Sequence, residues 1–316
     1  MRRRELLAAA VSAALGCRRA PDRATVLEAL GRQVVLPSYA RLAATAARLE
    51  ASCRSLAVNE GAFLDARSAW LEAVGALAFV APLHLGPVAD QRLHLRAAYW
   101  PVRPAAIEAL GEGPLDARAL EQAGVAVKGL FAIEYLLFDE RVVREKKHRR
   151  TLDALAAEHA RSTGKVEVVA RERGLPRLLA SQHGVALLVN ALVEATETAR
   201  GALEPALLAR AANGVVRVAG ARGGAVKLLV AARLDGVRAH YQGLSTLVGA
   251  LAPAADRAVH GALIAARDAV DALPAMPSGA EAARALERFR ALDVALKTGV
   301  TAALGVALTT QSADGD

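Results

Sequence analysis

The chain has 316 residues, a formal charge of +8 from 40 Lys and Arg against 32 Asp and Glu, and 54% hydrophobic but only 3% aromatic residues. So few aromatics leave no stacking platform for bases, and the modest basic excess does not read as a nucleic-acid surface. Much of the apolar content is alanine, a strong helix former, and alternating β-branched runs are scarce, so an all-α fold is expected.

The chain opens on Met1-Arg2-Arg3-Arg4, followed by an apolar run from Leu6 to Leu15 and then Gly16-Cys17. These are the charged, apolar and small-residue regions of a secretory signal. The apolar run is about ten residues long where a bilayer span needs roughly 20, and charges interrupt every later apolar stretch. Ala14-Leu15-Gly16-Cys17 resembles a lipobox, which predicts a signal over residues 1–16, cleavage before Cys17 and acylation of that cysteine. Arg3-Arg4-Glu5-Leu6-Leu7 reads equally as a twin-arginine signal or as an ordinary basic leader. Cleavage removes three arginines and one glutamate and lowers the charge from +8 to +6. Arg18, standing where a retention signal would carry aspartate, directs the anchor to the periplasmic face of an outer membrane. With Cys17 acylated, Cys53 has no disulfide partner and reads as a small buried hydrophobe on a helix.

From Asp22 to Asn59, Val26, Leu30, Val34, Leu42, Leu49 and Leu56 recur at multiples near 3.6, predicting one long helix broken near Pro37. A second helix is predicted from Gly61 to Ala81, ending before Pro82. Leu83-His84-Leu85-Gly86-Pro87 reads as a loop, and Tyr99-Trp100-Pro101 leads to a short helix through Leu110. Asp116 is placed as the N-cap of an apolar helix reaching Phe138. The basic run Arg141 to Arg150 reads as a solvated face. A helix around Thr151 to Arg161 leads to Gly174-Leu175-Pro176, the expected junction between an N-terminal helical domain (17–175) and a C-terminal one (176–316). Helices are predicted at about 176–200, 205–212, 223–250, 254–272 and 279–305. Two packed helical bundles are the natural architecture. Ala46-Ala47-Arg48-Leu49 recurs as Ala231-Ala232-Arg233-Leu234, a coincidence expected among alanine-rich helices.

No histidine is followed by glutamate or by a second histidine four residues on, so the zincin signature is absent. Gly220-Ala-Arg-Gly-Gly-Ala-Val-Lys227 lacks the Gly-Lys-Ser/Thr end of a P-loop and reads as a turn preceding a helix. His183, His240 and His260 read as ordinary partly buried histidines.

The segment Gly129 to Phe138 (GLFAIEYLLF) places one acid, Glu134, on a helix that is apolar on nearly every face. An unpaired buried carboxylate is costly, so Glu134 must meet an arginine, hydroxyls, a metal or water, or else be protonated. An internal salt bridge and a polar site between helices both satisfy that demand. Arg67, Trp70, His84, Trp100 and Arg103 are the candidate companions in a ligand-binding site. Arg67 would face Glu134 if their helices pack, and His84 stands by a Gly-Pro turn able to aim it into a cleft.

Four stretches together resemble the imelysin family of exported bacterial proteins. They are Ala69-Trp70 with Leu83 to Val88, Tyr99-Trp100-Pro101, Gly129 to Phe138, and the C-terminal Lys297-Thr298-Gly299-Val300 with Ala303 to Val306 and Asp314-Gly315-Asp316. The resemblance implies two helical bundle-like domains, a functional site at their interface and a link to bacterial iron acquisition, with iron or haem as ligand and other exported iron-uptake proteins as partners. In the family's Gly-x-His-x-x-Glu segment the histidine and glutamate share one helix face. Here Phe131 stands at the histidine position, as in a branch that has proline there. Phe131 is then expected to pack, and Glu134 to order a polar network or contact a ligand. A non-catalytic ligand-binding lipoprotein, a scaffold without a small ligand, and a metallopeptidase are the three functions this carries.

Overall fold

Asp22 accepts the Thr25 N–H at 3.1 Å and starts helix α1, Arg23–Leu30. The computed structural model describes residues 21–84, 86–139, 145–211, 218–274 and 279–308. The signal, Cys17, Leu85, Arg141 to Arg144 of the basic run and the closing Asp314-Gly315-Asp316 therefore lie outside the described residues.

Helix α1 does not break at Pro37. It runs through a π turn, Gly31–Val35, into α2, Leu36–Val58. The same device recurs downstream, where α9, Lys146–Val169, passes through a π turn at Ala170–Gly174 into α10, Leu175–Ala180, which carries Pro176. In both places the widened turn ends just before the X-Pro pair. Proline lacks an N–H and its ring clashes with the carbonyl four residues back, so a locally opened ladder lets the helix continue. Gly174-Leu175-Pro176 thus lies inside one helical run, and the chain reverses by 117° between Lys146–Ala180 and the next helix.

After α2 come α3, Phe63–Val80, and two short helices, α4, Pro87–Asp90, and α5, Leu93–Ala97. Helix α6, Pro104–Leu110, follows the cis peptide Trp100–Pro101. Asp116 caps α7, Ala117–Gln122, by accepting the Ala119 N–H at 2.8 Å. The single helix expected from Asp116 to Phe138 is in fact two, because the chain leaves helical geometry at Ala123 and restarts as α8, Leu130–Leu137. Gly129 makes the restart possible. Its φ is +82°, and a Cβ there would lie 2.7 Å from the Arg96 carbonyl and 2.8 Å from that of Ala97, so only glycine fits. The buried Lys128 ammonium donates to the Leu120 and Glu121 carbonyls at 2.9 and 3.2 Å, closing the end of α7.

The second half is α11, Gly184–Ala211, α12, Val226–Leu251, α13, Pro253–Asp271, α14, Gly279–Val294, and after a π turn α15, Thr301–Leu304. Helix α2 packs against α3 and α9 in the first half, and α11 to α14 pack together in the second, with α12 lying against both α3 and α1. No strand is present among the described residues. Buried apolar side chains from Val26 to Leu304 form one continuous core spanning both halves. Where α12 crosses α3, a Cβ on Gly236 would come 2.3 Å from the Phe79 carbonyl oxygen. A glycine there lets the two backbones meet, and the crossing fixes which α12 side chains face the first half. No single helix among the described residues is long and apolar enough to cross a membrane.

Candidate functional site

Glu134 sits on α8, 1% exposed. Its carboxylate accepts the backbone N–H of Gly223 at 2.9 Å and that of Gly220 at 3.3 Å. The donors come from the glycine-rich turn that precedes α12. Gly220 and Gly224 have φ of +78° and +66°, and this left-handed backbone turns successive N–H groups inward as an anion-binding nest. Burial pushes the Glu134 carboxyl above its usual range, while the N–H groups of Gly223, Gly220 and Arg222 and the Arg222 charge pull it back. Among the described residues the hydrogen bonds to Glu134 come from the backbone of the opposite half, and of the side-chain partners open on sequence grounds an arginine, Arg222, acts on it through its charge.

Around this joint the aromatic side chains act as braces. The Trp70 indole, fully buried, donates to the Leu130 carbonyl at 2.9 Å and meets Phe138 edge-on at 4.9 Å. A Cβ on Gly223 would fall 2.4 Å from Trp70 Cζ3, so glycine is required on steric grounds as well. Arg67 lies over the Phe63 and Phe138 rings at 3.9 and 4.9 Å and donates to the Leu137 carbonyl at 3.3 Å, rather than to Glu134. Arg222 lies over the Tyr135 ring at 4.8 Å, with Asp139 at 3.9 Å.

Phe131 lies one helical turn before Glu134 on the same helix. It meets Trp100 edge-on at 5.9 Å and helps to line a cavity of about 490 Å³ between α3, α5, α8, α11 and α12. That volume lies within the roughly 300–1,000 Å³ of small-molecule sites. His84 and His94 stack inside it, ring centroids 4.8 Å apart and planes 18° apart, and each has a buried Nδ1 without a hydrogen-bond partner. Burial, reinforced by His94 and Arg233, lowers the His84 pKa to about 3, and burial lowers that of His94 too. Arg233 of α12 lines the interior, while Arg92 and Glu194 stand exposed at the mouth.

The six expected site residues, Glu134 and its five companions, therefore divide. His84 reaches the cavity and Trp100 supports its Phe131 wall, whereas Glu134, Trp70 and Arg67 build the joint behind it. Arg103 lies at the surface, its N–H donating to the Ala126 carbonyl at 2.9 Å as α6 begins. The fully buried His240 places Nδ1 2.6 Å from the Gly236 carbonyl; His260 lies 3.0 Å from the Ser245 hydroxyl, and His183 is exposed. His94 and Glu194 were not singled out by sequence, Arg233 entered only as part of a repeated tetrapeptide, and the Gly220 stretch was read as a turn before a helix without a role at Glu134. Arg233 carries the signal that marks Glu134, a lone charge in an apolar run (LLVAARL, 228–234).

The donor set does not fit a metal held by the histidine–glutamate pair. Phe131 offers no lone pair, the Glu134 oxygens already accept N–H groups, and no cluster of three His, Cys, Asp or Glu is placed to hold an ion among the described residues.

With this geometry in hand, the family model described as imelysin matches residues 35–304. Comparison with curated proteins gives no match. Among solved structures, an imelysin-like protein from Psychrobacter arcticum 273-4 superposes with a TM-score of 0.77 at 16% identity, covering 92% of this chain and 99% of that one. A putative iron-regulated protein A precursor from Parabacteroides distasonis ATCC 8503 gives a TM-score of 0.77 at 14% identity, covering 90% and 96%. At these identities the likeness is one of fold.

Proposed function

The chain belongs to the imelysin family, and from that premise we propose that it is an exported, lipid-anchored and non-catalytic component of bacterial iron handling that receives a ligand between its two halves. The observation that carries this reading is the cavity lined by Phe131, His84, His94 and Arg233, whose walls come from both halves of the chain. A similar fold in a putative iron-regulated precursor supports the link to iron. With the motif histidine replaced by Phe131, the ligand is a chelated form of iron or haem rather than an ion held by that pair. The lipobox at Ala14 to Cys17 supports anchoring through Cys17, which would hold the helical body at the membrane and leave the cavity in the aqueous compartment.

The reading is tested by titrating the full chain with ferric citrate and with haem. Saturable binding of either at micromolar concentration is expected; binding of neither favours a scaffold that recruits another exported protein. Chelator-sensitive cleavage of casein would instead establish a metallopeptidase. Labelling with a palmitate analogue should mark the wild type and not Cys17→Ser.

A further inference from the structure

One interior group of the cavity, Arg233, has an atom without a hydrogen-bond partner among the described residues. Arg233 is held inside by the close crossing of α12 and α3 at Gly236, one helical turn away. Its Nε is sealed from solvent without a hydrogen-bond partner, and no carboxylate lies within ion-pair distance of it among the described residues. Burial alone lowers its pKa to about 10, with no neighbouring acid to oppose the shift. The contrast with Arg48, which occupies the same place in the repeated Ala-Ala-Arg-Leu sequence, is direct: that arginine pairs with Glu72 at the surface.

A guanidinium whose Nε is kept out of water without a partner is costly, and the cost is recovered when a planar oxyanion takes its fork of donors. The neighbouring imidazoles bring no opposing charge, since burial lowers both of their pKa values, and each has an Nδ1 without a hydrogen-bond partner. Charge at the mouth is mixed: Arg92 adds a second cation, and Glu194 on the facing helix would repel an anion and so disfavour weak or misoriented ones.

We propose that this cavity binds a small molecule bearing an oxyanion group, with the Arg233 guanidinium as its anchor, the stacked His84 and His94 as hydrogen-bonding wall and Phe131 as apolar floor. This rests on the reading of the cavity as a ligand site and specifies what the ligand must present. Carboxylate and phosphate share the chemistry that Arg233 recognises, and the two sources are separated by experiment.

The test is calorimetric titration of the full chain with iron-free citrate and, separately, with inorganic phosphate at pH 7, in wild type, Arg233→Gln, Arg92→Gln and Glu194→Gln. Saturable binding of citrate is expected, weakened at least tenfold by Arg233→Gln, a few-fold by Arg92→Gln, and tightened by Glu194→Gln. Because the two mouth variants leave the interior untouched, their opposite shifts remain readable if Arg233→Gln folds poorly. Binding of phosphate with the same dependence on Arg233 supports the anchor and assigns the oxyanion to a phosphoryl group. Absence of binding to both probes, or equal affinity in wild type and Arg233→Gln, overturns the inference. If ferric citrate or haem then binds wild type and Arg233→Gln alike, the cavity remains a ligand site and only the anchor fails. If nothing binds, both readings fail.

Discussion

The Glu134 carboxylate and the Gly223 N–H meet at 2.9 Å although 89 residues separate them in sequence. Through this contact the most apolar helix of the first half is tied to the turn that launches the central helix of the second. The carboxylate at the family's acidic position is thus part of the scaffold that sets the spacing of the cavity walls, while the group standing at the histidine position faces the cavity itself.

Substituting Gly223 by alanine should break this joint. The new Cβ would stand 2.4 Å from Trp70 Cζ3 and 3.1 Å from Phe138 Cζ, and the indole is held by its own hydrogen bond. A loss of about 1–3 kcal/mol is expected from overpacking. Gly224→Ala meets nothing within 4 Å but keeps a φ of +66°, so it should cost about 1 kcal/mol. Urea unfolding of the two variants checks the order.

Replacing the Arg233 guanidinium should raise the stability of the ligand-free chain. Arg233→Met fills the same space without a buried donor lacking a partner, and a gain of about 1–3 kcal/mol is expected from relief of that desolvation. Thermal melts with and without citrate separate the two effects: the variant should melt higher than wild type alone, and citrate should stabilise only the wild type.

Restoring the family's histidine should not by itself restore a metal site. In Phe131→His the new imidazole would share a helix face with Glu134, whose oxygens remain occupied by the Gly220 and Gly223 N–H groups. Metal analysis after incubation with zinc or iron should show no gain over wild type. A stoichiometric gain would mean that the carboxylate can leave its nest.

Acid should unfold the protein earlier than its carboxylates alone would require. Burial holds His84 at about 3 and His159 and His240 at about 4, against 6.5 for a free histidine. These folded-state values are depressed, so the unfolded chain binds the extra protons first. Stability is full above about pH 6.5 and is lost as pH falls toward 4. With three such groups the slope reaches about 4 kcal/mol per pH unit. His159 is 1% exposed and neither ring nitrogen has a partner. His159→Leu should therefore remove one proton from that slope and add about 1–2 kcal/mol at pH 7, read by urea unfolding across pH 4 to 7.

Sequence alone determined what depends on local chemistry. The 3.6-residue periodicity, the cap at Asp116 and the scarcity of strand formers specified an all-α chain, because a helix is written in residues a turn apart. Glu134 was conspicuous as a lone acid in an apolar helix, which demands a partner without saying which. Periodicity says nothing about how a proline is absorbed, so the π turns before Pro37 and Pro176 were invisible, as was the break at Gly129, whose cause is the approach of the Arg96 and Ala97 carbonyls. Only the tertiary structure decided where Glu134 finds its donors, since backbone N–H groups are present at almost every residue and leave no compositional mark. It also decided that Arg233 lies inside while Arg48, in the same four-residue sequence, lies outside, because the difference is made by the α12–α3 crossing at Gly236 and by nothing within the four residues themselves.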